Sequence, residues 1–292
     1  MEQSAIQPGG SPRSALAPAV LTAVSAVAAL AFAALGSGAF GGTPVQDAAG
    51  GYLSSSATPV SPATQAFSIW SVVYAGLLGY AVWQFLPAGR ASRRQRTVRP
   101  WAAASMLLNA AWLWAAQIPS PAISLPATFA VMLVLLAVLC RLFALHLGTP
   151  AGSRAEQFLS DGTFGLYLGW ICVATVANAA ALIGFGLGLR PGDPAPGLPA
   201  GLPSEAAGII VLAVVAGLGV AIARTRRWAP LAAIAWGLVW IAVARWGGPL
   251  AMPTVGTAAA VAAVIVLGAG AAFRFRPGRR VPARKTPREA PA

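Results

Sequence analysis

Long apolar runs, separated by short polar or arginine-rich segments, fill most of the sequence. A helix that crosses a membrane needs about 20 mostly apolar residues. Eight runs approach that length: 17–36, 67–86, 101–118, 124–146, 164–186, 206–223, 228–245 and 254–273. Because these runs are continuous and show no alternation with a period of two, they favour helices over the strands of a membrane barrel. The pattern predicts an all-α integral membrane protein with about eight transmembrane helices.

The first apolar run has some features of a signal peptide, since it follows Arg13 and precedes small residues such as Ala39. It remains apolar for about 20 residues, whereas the apolar part of a signal peptide is typically 7–15 residues long. We therefore interpret it as a retained transmembrane helix.

Arginines are unevenly distributed among the segments between the predicted helices. Eight crossings place both termini and the even-numbered connections on one side. The basic residues of that side are Arg13, Arg90, Arg93, Arg94, Arg96, Arg99, Arg154, Arg224, Arg226, Arg227, Arg274, Arg276, Arg279, Arg280, Arg284, Lys285 and Arg288. Only Arg190 and Arg245 fall on the other side. Because cytoplasmic loops carry an excess of Lys and Arg, we expect both termini to be cytoplasmic.

The composition supports a membrane protein and excludes an ordinary soluble domain, a disordered chain and a nucleic-acid-binding module. Hydrophobic residues make up 57% of the 292 residues and charged residues 9%, whereas roughly 25% of a soluble domain is charged. The net charge of +13 lies in short clusters between apolar runs, so it does not indicate nucleic-acid binding. Two cysteines form neither a disulfide framework nor a metal site.

Residues suited to acid–base or metal chemistry are few. All seven acidic residues lie outside the predicted helices or at their ends, where Asp161 and Glu205 fit helix N-termini. We therefore expect no buried carboxylate for a proton relay or a sodium site. His146 is the only histidine and supports neither a metal cluster nor bis-histidine haem ligation. The sequence predicts no catalytic and no metal-binding residues.

Aromatic and amide residues recur at helical spacing inside the runs. Trp112, Trp114, Trp170, Trp236 and Trp240 lie deep in their runs, whereas Trp83, Trp101, Trp228 and Trp246 lie near run ends, as in an interfacial belt. Three stripes form at spacings of three or four residues: Trp70 and Tyr74; Asn109 and Trp112; and Tyr167, Trp170, Ala174 and Asn178. Asn109 and Asn178 are the only asparagines. Each buried amide needs a partner, either on another helix or on a ligand, and the pattern leaves both open.

Three of these segments resemble one family. The fifth run contains YLGWICVATVAN, the third LLNAAW, and the second FSIWSVVYAGLLGYAVW. They are similar to motifs of the translocator-protein/tryptophan-rich sensory protein (TspO/MBR) family, namely Tyr-Leu-x-Trp-x-x-x-Ala-Thr-x-x-Asn, Leu-x-Leu-Asn-x-x-Trp and Phe-x-x-x-Trp-x-x-x-Tyr. The chain departs from the family where Leu166 replaces a proline and where Phe67 lies one residue closer to Trp70. The resemblance covers roughly residues 17–187, and the last three runs look like an extension found in bacterial relatives.

The resemblance implies a fold and a ligand. In the family, five helices enclose a pocket for porphyrins, haem and sterols. By position, the expected ligand-binding residues here are Trp70, Tyr74, Asn109, Trp112, Trp170, Ala174 and Asn178. A tetrapyrrole would be a ligand and no cofactor is required. The family also has a disputed light-dependent porphyrin breakdown, the only enzyme activity that the resemblance suggests.

We therefore expect a five-helix TspO-like bundle over residues 1–188, a three-helix extension over 189–273 and a basic cytoplasmic tail over 274–292. The favoured function is sensing or binding a planar hydrophobic ligand in the inner membrane of a bacterium. A transporter of a hydrophobic metabolite and a scaffold subunit of a membrane complex are the alternatives. The expected partners are the ligand and membrane lipid, without nucleic acid, and a homodimer remains open.

Overall fold

The computed structural model describes residues 12–36, 43–193 and 201–275, and every regular element in these ranges is helical. The eight long helices described are α1 (Pro12–Gly36), α2 (Ile69–Trp83), α3 (Arg93–Ala116), α4 (Pro121–Gly148), α5 (Thr163–Gly186), α6 (Ser204–Ala223), α7 (Trp228–Gly247) and α8 (Pro253–Phe275). Short helices cover Ala49–Gly51, Thr64–Ser68, Pro87–Ala91 and Arg154–Glu156, and a π-helical turn covers Gln157–Gly162. The basic tail predicted over 274–292 lies outside the described residues from residue 276 onward.

Six segments of the described chain are long and apolar enough to cross a membrane: Thr64–Trp83, Pro121–Gly148, Arg154–Gly186, Ser204–Ala223, Trp228–Gly247 and Pro253–Phe275. The predicted all-α membrane fold is therefore confirmed, whereas the count of eight crossings is approximate. In α1, where the structure describes side chains only within residues 20–32, those residues form the apolar stretch Val20–Phe32. Helix α3 carries Arg94, Arg96 and Arg99 within its first two turns, which lowers its hydropathy.

Helix α3 begins earlier than its apolar run predicts, at Arg93 rather than near residue 101. Ser92 caps its N-terminus, because the Ser92 hydroxyl accepts a hydrogen bond from the backbone N–H of Gln95 at 3.3 Å. Four arginines of the predicted connection, Arg93, Arg94, Arg96 and Arg99, therefore lie on α3, and Pro100 is inside this helix. Hydropathy alone missed this first part of α3 because its residues are polar.

Helix α5 has a central place in the bundle, in contact with α2, α4 and α7. Helix α1 packs against α3 and α2, α3 against α4, and α8 against both α7 and α6. A single hydrophobic core extends from α1 to α8 through these contacts. The five N-terminal helices and the three C-terminal helices are therefore joined by buried surface along α5 and α7.

Glycine permits the close approach of α5 to α7. A Cβ atom on Gly169 would overlap the carbonyl oxygen of Pro230, and one on Gly237 would lie 2.9 Å from a methyl carbon of Val173. Two helix backbones can approach this closely only where one presents no side chain.

We expect Gly169→Ala to destabilise the protein by about 1–3 kcal/mol, the usual effect of overpacking a filled interface. The matched control is Gly186→Ala on the same helix, because a Cβ atom there meets nothing within 4 Å. Thermal unfolding in one detergent compares the two variants. Equal melting temperatures would contradict the close contact at Pro230.

The segment 43–63 folds over one end of the bundle, which we call the loop end. Arg245 of α7 is fully buried there and donates hydrogen bonds to the carbonyl oxygens of Thr58, at 3.2 Å, and Ser55, at 2.5 Å. The Tyr52 hydroxyl donates to the carbonyl oxygen of Leu189 at 2.6 Å. The opposite end carries Arg94 and Arg227, and we call it the arginine end. Segment 43–63 is thus fixed to α7 and to the connection after α5.

Candidate aromatic site

Five aromatic rings from α2, α5 and the turn before α2 meet below segment 43–63. Trp70 stacks on Tyr74 with ring centroids 5.2 Å apart, because the two residues are one helical turn apart. The rings of Tyr167 and Trp170 meet Trp70 edge to face at 5.5 and 6.5 Å, and Phe67 meets Trp170 at 5.7 Å. Edge-to-face and offset arrangements are favourable for aromatic pairs. The result is a wall of rings whose centre is Trp70.

The two asparagines connect helices around this wall. Asn109 Nδ2 on α3 donates to the Tyr74 hydroxyl on α2 at 2.9 Å. The Trp112 indole N–H on α3 donates to Asn178 Oδ1 on α5 at 3.3 Å, and Asn178 Nδ2 donates back to the carbonyl oxygen of Ala174 at 3.2 Å. Both amides therefore have protein partners, which is the interhelical role that the sequence left open.

Two cavities adjoin at these residues. The inner chamber, of ≈ 50 Å³, is lined by Val45, Tyr52, Leu53, Ser54, Ser61, Pro62, Phe67, Trp70, Asn109, Trp112, Met132, Trp170, Ile171, Ala174, Ala177 and Asn178. The outer cleft, of ≈ 290 Å³, is lined by Pro44, Val45, Gln46, Thr64, Phe67, Trp70, Ser71, Tyr74, Asn109, Trp112 and Leu113. All seven residues proposed from the sequence line at least one of these cavities. The residues that line both are Trp70, Asn109 and Trp112. Tyr74 lines only the outer cleft, and the inner chamber alone is lined by Trp170, Ala174 and Asn178.

Two indole rings at the inner chamber have an N–H group that is bonded to no described residue. Neither the Trp70 nor the Trp170 N–H is bonded to a described residue, although both rings line the inner chamber. Asn109 lies between the two cavities, and its amide oxygen accepts no hydrogen bond from a described residue. The site therefore combines an apolar aromatic surface with a few polar groups that a ligand could use.

The remaining deep tryptophans lie elsewhere. Trp114 is 60% exposed and packs edge to face on Phe32 of α1, because it is two residues from Trp112 and points to another side of α3. Trp236 donates its N–H to the carbonyl oxygen of Ala66 at 2.9 Å, which ties α7 to the turn before α2. Trp83, expected in an interfacial belt, is buried instead. The position of a tryptophan along its apolar run therefore did not predict which face of the helix carries it.

A buried polar cluster at the arginine end corrects the expectation of no buried carboxylate. Glu156 is 3% exposed. Asp161, expected at a helix N-terminus, lies in the π-helical turn and is paired with arginines. Arg94 donates to Asp161 Oδ1 at 2.7 Å and Arg227 to Asp161 Oδ2 at 3.1 Å. Gln95 Nε2 donates to Glu156 Oε1 at 2.7 Å. Buried charges are tolerated when they are paired in this way.

This polar cluster joins three parts of the chain: α3 through Arg94, the π-helical turn through Asp161, and the α6–α7 connection through Arg227. A sequence signal did exist, since the short polar segment before α5 holds two acids, Glu156 and Asp161, beside one arginine, Arg154. Hydropathy assigned those acids to a solvated loop because it cannot show which arginines face them.

The cluster contains serine, histidine and aspartate but not the geometry of a catalytic triad. The Ser160 hydroxyl and Asp161 Oδ1 approach the same ring nitrogen, His146 Nε2, at 3.1 and 4.0 Å. In a triad the nucleophile and the acid contact opposite nitrogens of the ring. Ser160 is also completely buried, so no substrate reaches it. Within the described residues, no group of three His, Cys, Asp or Glu side chains could hold a metal ion.

Comparison with known proteins supports the motif assignment. The family model described as TSPO-like protein matches residues 19–272, which includes the helices after α5 as well as the three motifs. No curated protein matches the chain at a significant level, and neither does any solved structure. Since the match covers most of the chain and the fold is an all-α membrane bundle, the chain belongs to the TSPO-like family.

Proposed function

We propose that this membrane protein binds a flat hydrophobic ligand, such as a porphyrin, haem or a sterol, at the aromatic site between α2, α3 and α5. The observation that carries the proposal is the wall of rings around Trp70, with two indole N–H groups that are bonded to no described residue, on rings that line the inner chamber. Burial of apolar surface and ring stacking would supply most of the binding energy. The free N–H groups and Asn109 would orient polar atoms of the ligand.

The sizes of the cavities indicate how the ligand would enter. Sites for drug-sized ligands are about 300–1,000 Å³, so the inner chamber of ≈ 50 Å³ is too small alone and the outer cleft of ≈ 290 Å³ approaches that range. Trp70 and Phe67 line both spaces. A tetrapyrrole would occupy the outer cleft and extend inward past the Trp70 ring, which borders both spaces.

The polar atoms of the site give a test of this assignment. Trp170→Phe keeps an aromatic ring at the inner chamber but removes an N–H that is bonded to no described residue, and we expect it to weaken protoporphyrin IX binding about fivefold, as for one neutral hydrogen bond. The matched control is Trp114→Phe, since that ring is on the outside of α3. Quenching of tryptophan fluorescence measures the affinity of each variant. If both variants lose the same affinity, or if neither loses affinity, the ligand binds elsewhere.

Asn109 and Tyr74 form a second comparison. Asn109→Leu and Tyr74→Phe each break the 2.9 Å bond between α2 and α3. Both should lower stability by about 1 kcal/mol, but only Asn109→Leu removes an amide that lines both cavities. We expect Asn109→Leu to weaken ligand binding more than Tyr74→Phe, which keeps the ring that lines the outer cleft. Equal ligand affinities in the two variants would show that Asn109 only bonds α3 to α2 and does not contact the ligand.

We also propose that the arginine end faces the cytoplasm, so that both termini lie on the cytoplasmic side of the inner membrane of a bacterium. The support is the positive-inside bias. Arg245, an exception at the loop end, is buried and donates hydrogen bonds to carbonyl oxygens of segment 43–63.

Reporter fusions test the orientation directly. Reporters placed after Pro59 and Gly192 should be active outside, and reporters placed after Ala91 and Ala292 should be active inside. Activity of the Ala91 fusion on the outside would reverse the orientation.

A further inference from the structure

A third cavity lies on the other side of α5 from the aromatic site. It is a groove of ≈ 400 Å³ between α5 and α6 at the loop end, larger than the inner chamber, and it shares only Tyr52 with that chamber. Its walls are Val176, Ala179, Ala180, Ile183 and Gly184 of α5 and Ser204, Ala207, Gly208, Ile210, Val211 and Val214 of α6. Its floor includes Pro59, Val60, Leu250 and Met252. The groove is apolar along its length.

The groove opens towards the hydrocarbon of the membrane. Its outer edges, Ile183, Ile210 and Val214, are 59%, 57% and 66% exposed, so no described residue covers them. Both α5 and α6 belong to segments long and apolar enough to cross the membrane. Water is unfavourable in an apolar space, whereas an acyl chain can fill it with apolar contacts similar to those it makes in the bilayer.

Two opposite charges lie at the mouth of the groove. Arg190 and Asp193 both line it, and a turn in which the Asp193 N–H donates to the Arg190 carbonyl oxygen at 3.2 Å keeps them adjacent. Neither side chain forms an ion pair with a described residue. The positive group can pair with a phosphate and the negative group with an ammonium.

We propose that this groove is a binding site for one phospholipid with a zwitterionic head group. One acyl chain lies between α5 and α6, the phosphate pairs with Arg190, and the head-group ammonium pairs with Asp193. The apolar length of the groove, its opening to the membrane and the charge pair at its mouth each match one part of that molecule. The aromatic site does not share these features, since its described lining carries no charged residue.

Native mass spectrometry of the full chain in detergent, with added dioleoyl phosphatidylethanolamine, tests this proposal. We expect one tightly retained lipid on the wild type and about tenfold weaker retention by Ala207→Phe, whose ring fills the groove. Ala213→Phe is the matched control, because Ala213 is exposed on the same helix and does not line the groove. Ala179→Phe fills the groove from α5 and replaces Ala207→Phe if that variant does not fold.

The head-group assignment is tested with dioleoyl phosphatidylglycerol, which has the same chains and an anionic head group. We expect the wild type to prefer phosphatidylethanolamine, and the double change Arg190→Gln with Asp193→Asn to reduce that preference two- to fivefold, about the effect of exposed ion pairs. Unchanged retention in both groove-filling variants would overturn the site, and an unchanged preference in the double variant would overturn the head-group assignment. Loss of protoporphyrin quenching in Ala207→Phe, with lipid retained, would assign the groove to the porphyrin instead.

Discussion

Replacement of Asp161 by asparagine is expected to cost about 3–5 kcal/mol of unfolding free energy, the usual effect of breaking a buried ion pair. The carboxylate accepts from Arg94 at 2.7 Å and from Arg227 at 3.1 Å. The Arg94 side chain is only 5% exposed, so without Asp161 its charge keeps only Glu156, at 3.6 Å. A neutral amide cannot compensate two cations, and one of them cannot reach water.

The control for this prediction is Asp47→Asn, because Asp47 is exposed. Thermal unfolding in a single detergent should show a large decrease for Asp161→Asn and little change for Asp47→Asn. If Asp161→Asn and the control have the same melting temperature, the cluster does not hold α3, the π-helical turn and the α6–α7 connection together.

Filling the inner chamber should have the largest effect on ligand binding. Ala174→Phe places a ring in a space of ≈ 50 Å³ beside Trp170. We expect the affinity for protoporphyrin IX to fall about a hundredfold, which corresponds to about 2.8 kcal/mol. Fluorescence quenching measures the loss, with Ala213→Phe as a control on the membrane-facing side of α6.

Ala174→Gly tests the same chamber in the opposite direction, because it enlarges the space and should retain binding. Overpacking also destabilises proteins, so the melting temperature of Ala174→Phe must accompany its affinity. Normal affinity in a folded Ala174→Phe would show that the ligand does not reach α5.

The helices and the aromatic stripes could be predicted from the sequence because both depend on local periodicity. An apolar run of membrane length indicates a helix. Spacing of three or four residues puts Trp70 beside Tyr74 on α2, and it puts Trp170 and Ala174 on one face of α5. The family motifs then related these stripes to one another across separate helices. The structure places them around common cavities.

The contacts between distant polar residues could not be predicted in the same way. Asp161 lies in a polar stretch that reads as a loop, and its partners Arg94 and Arg227 are remote in sequence. The position of segment 43–63 likewise depends on a buried Arg245 that donates to its carbonyl oxygens. Hydropathy measures the average polarity of a segment and carries no information about which side chains face each other.

Photolabelling tests the central claim, that the ligand occupies the aromatic site, most directly. A protoporphyrin IX derivative that carries a diazirine would be bound to the wild type in lipid nanodiscs, illuminated, and the labelled residues located by peptide mass spectrometry. We predict labels in α2, α3 and α5 around Trp70, Asn109 and Ala174, which unlabelled protoporphyrin IX displaces. Displaceable labels confined to α6 or α8 would contradict the account.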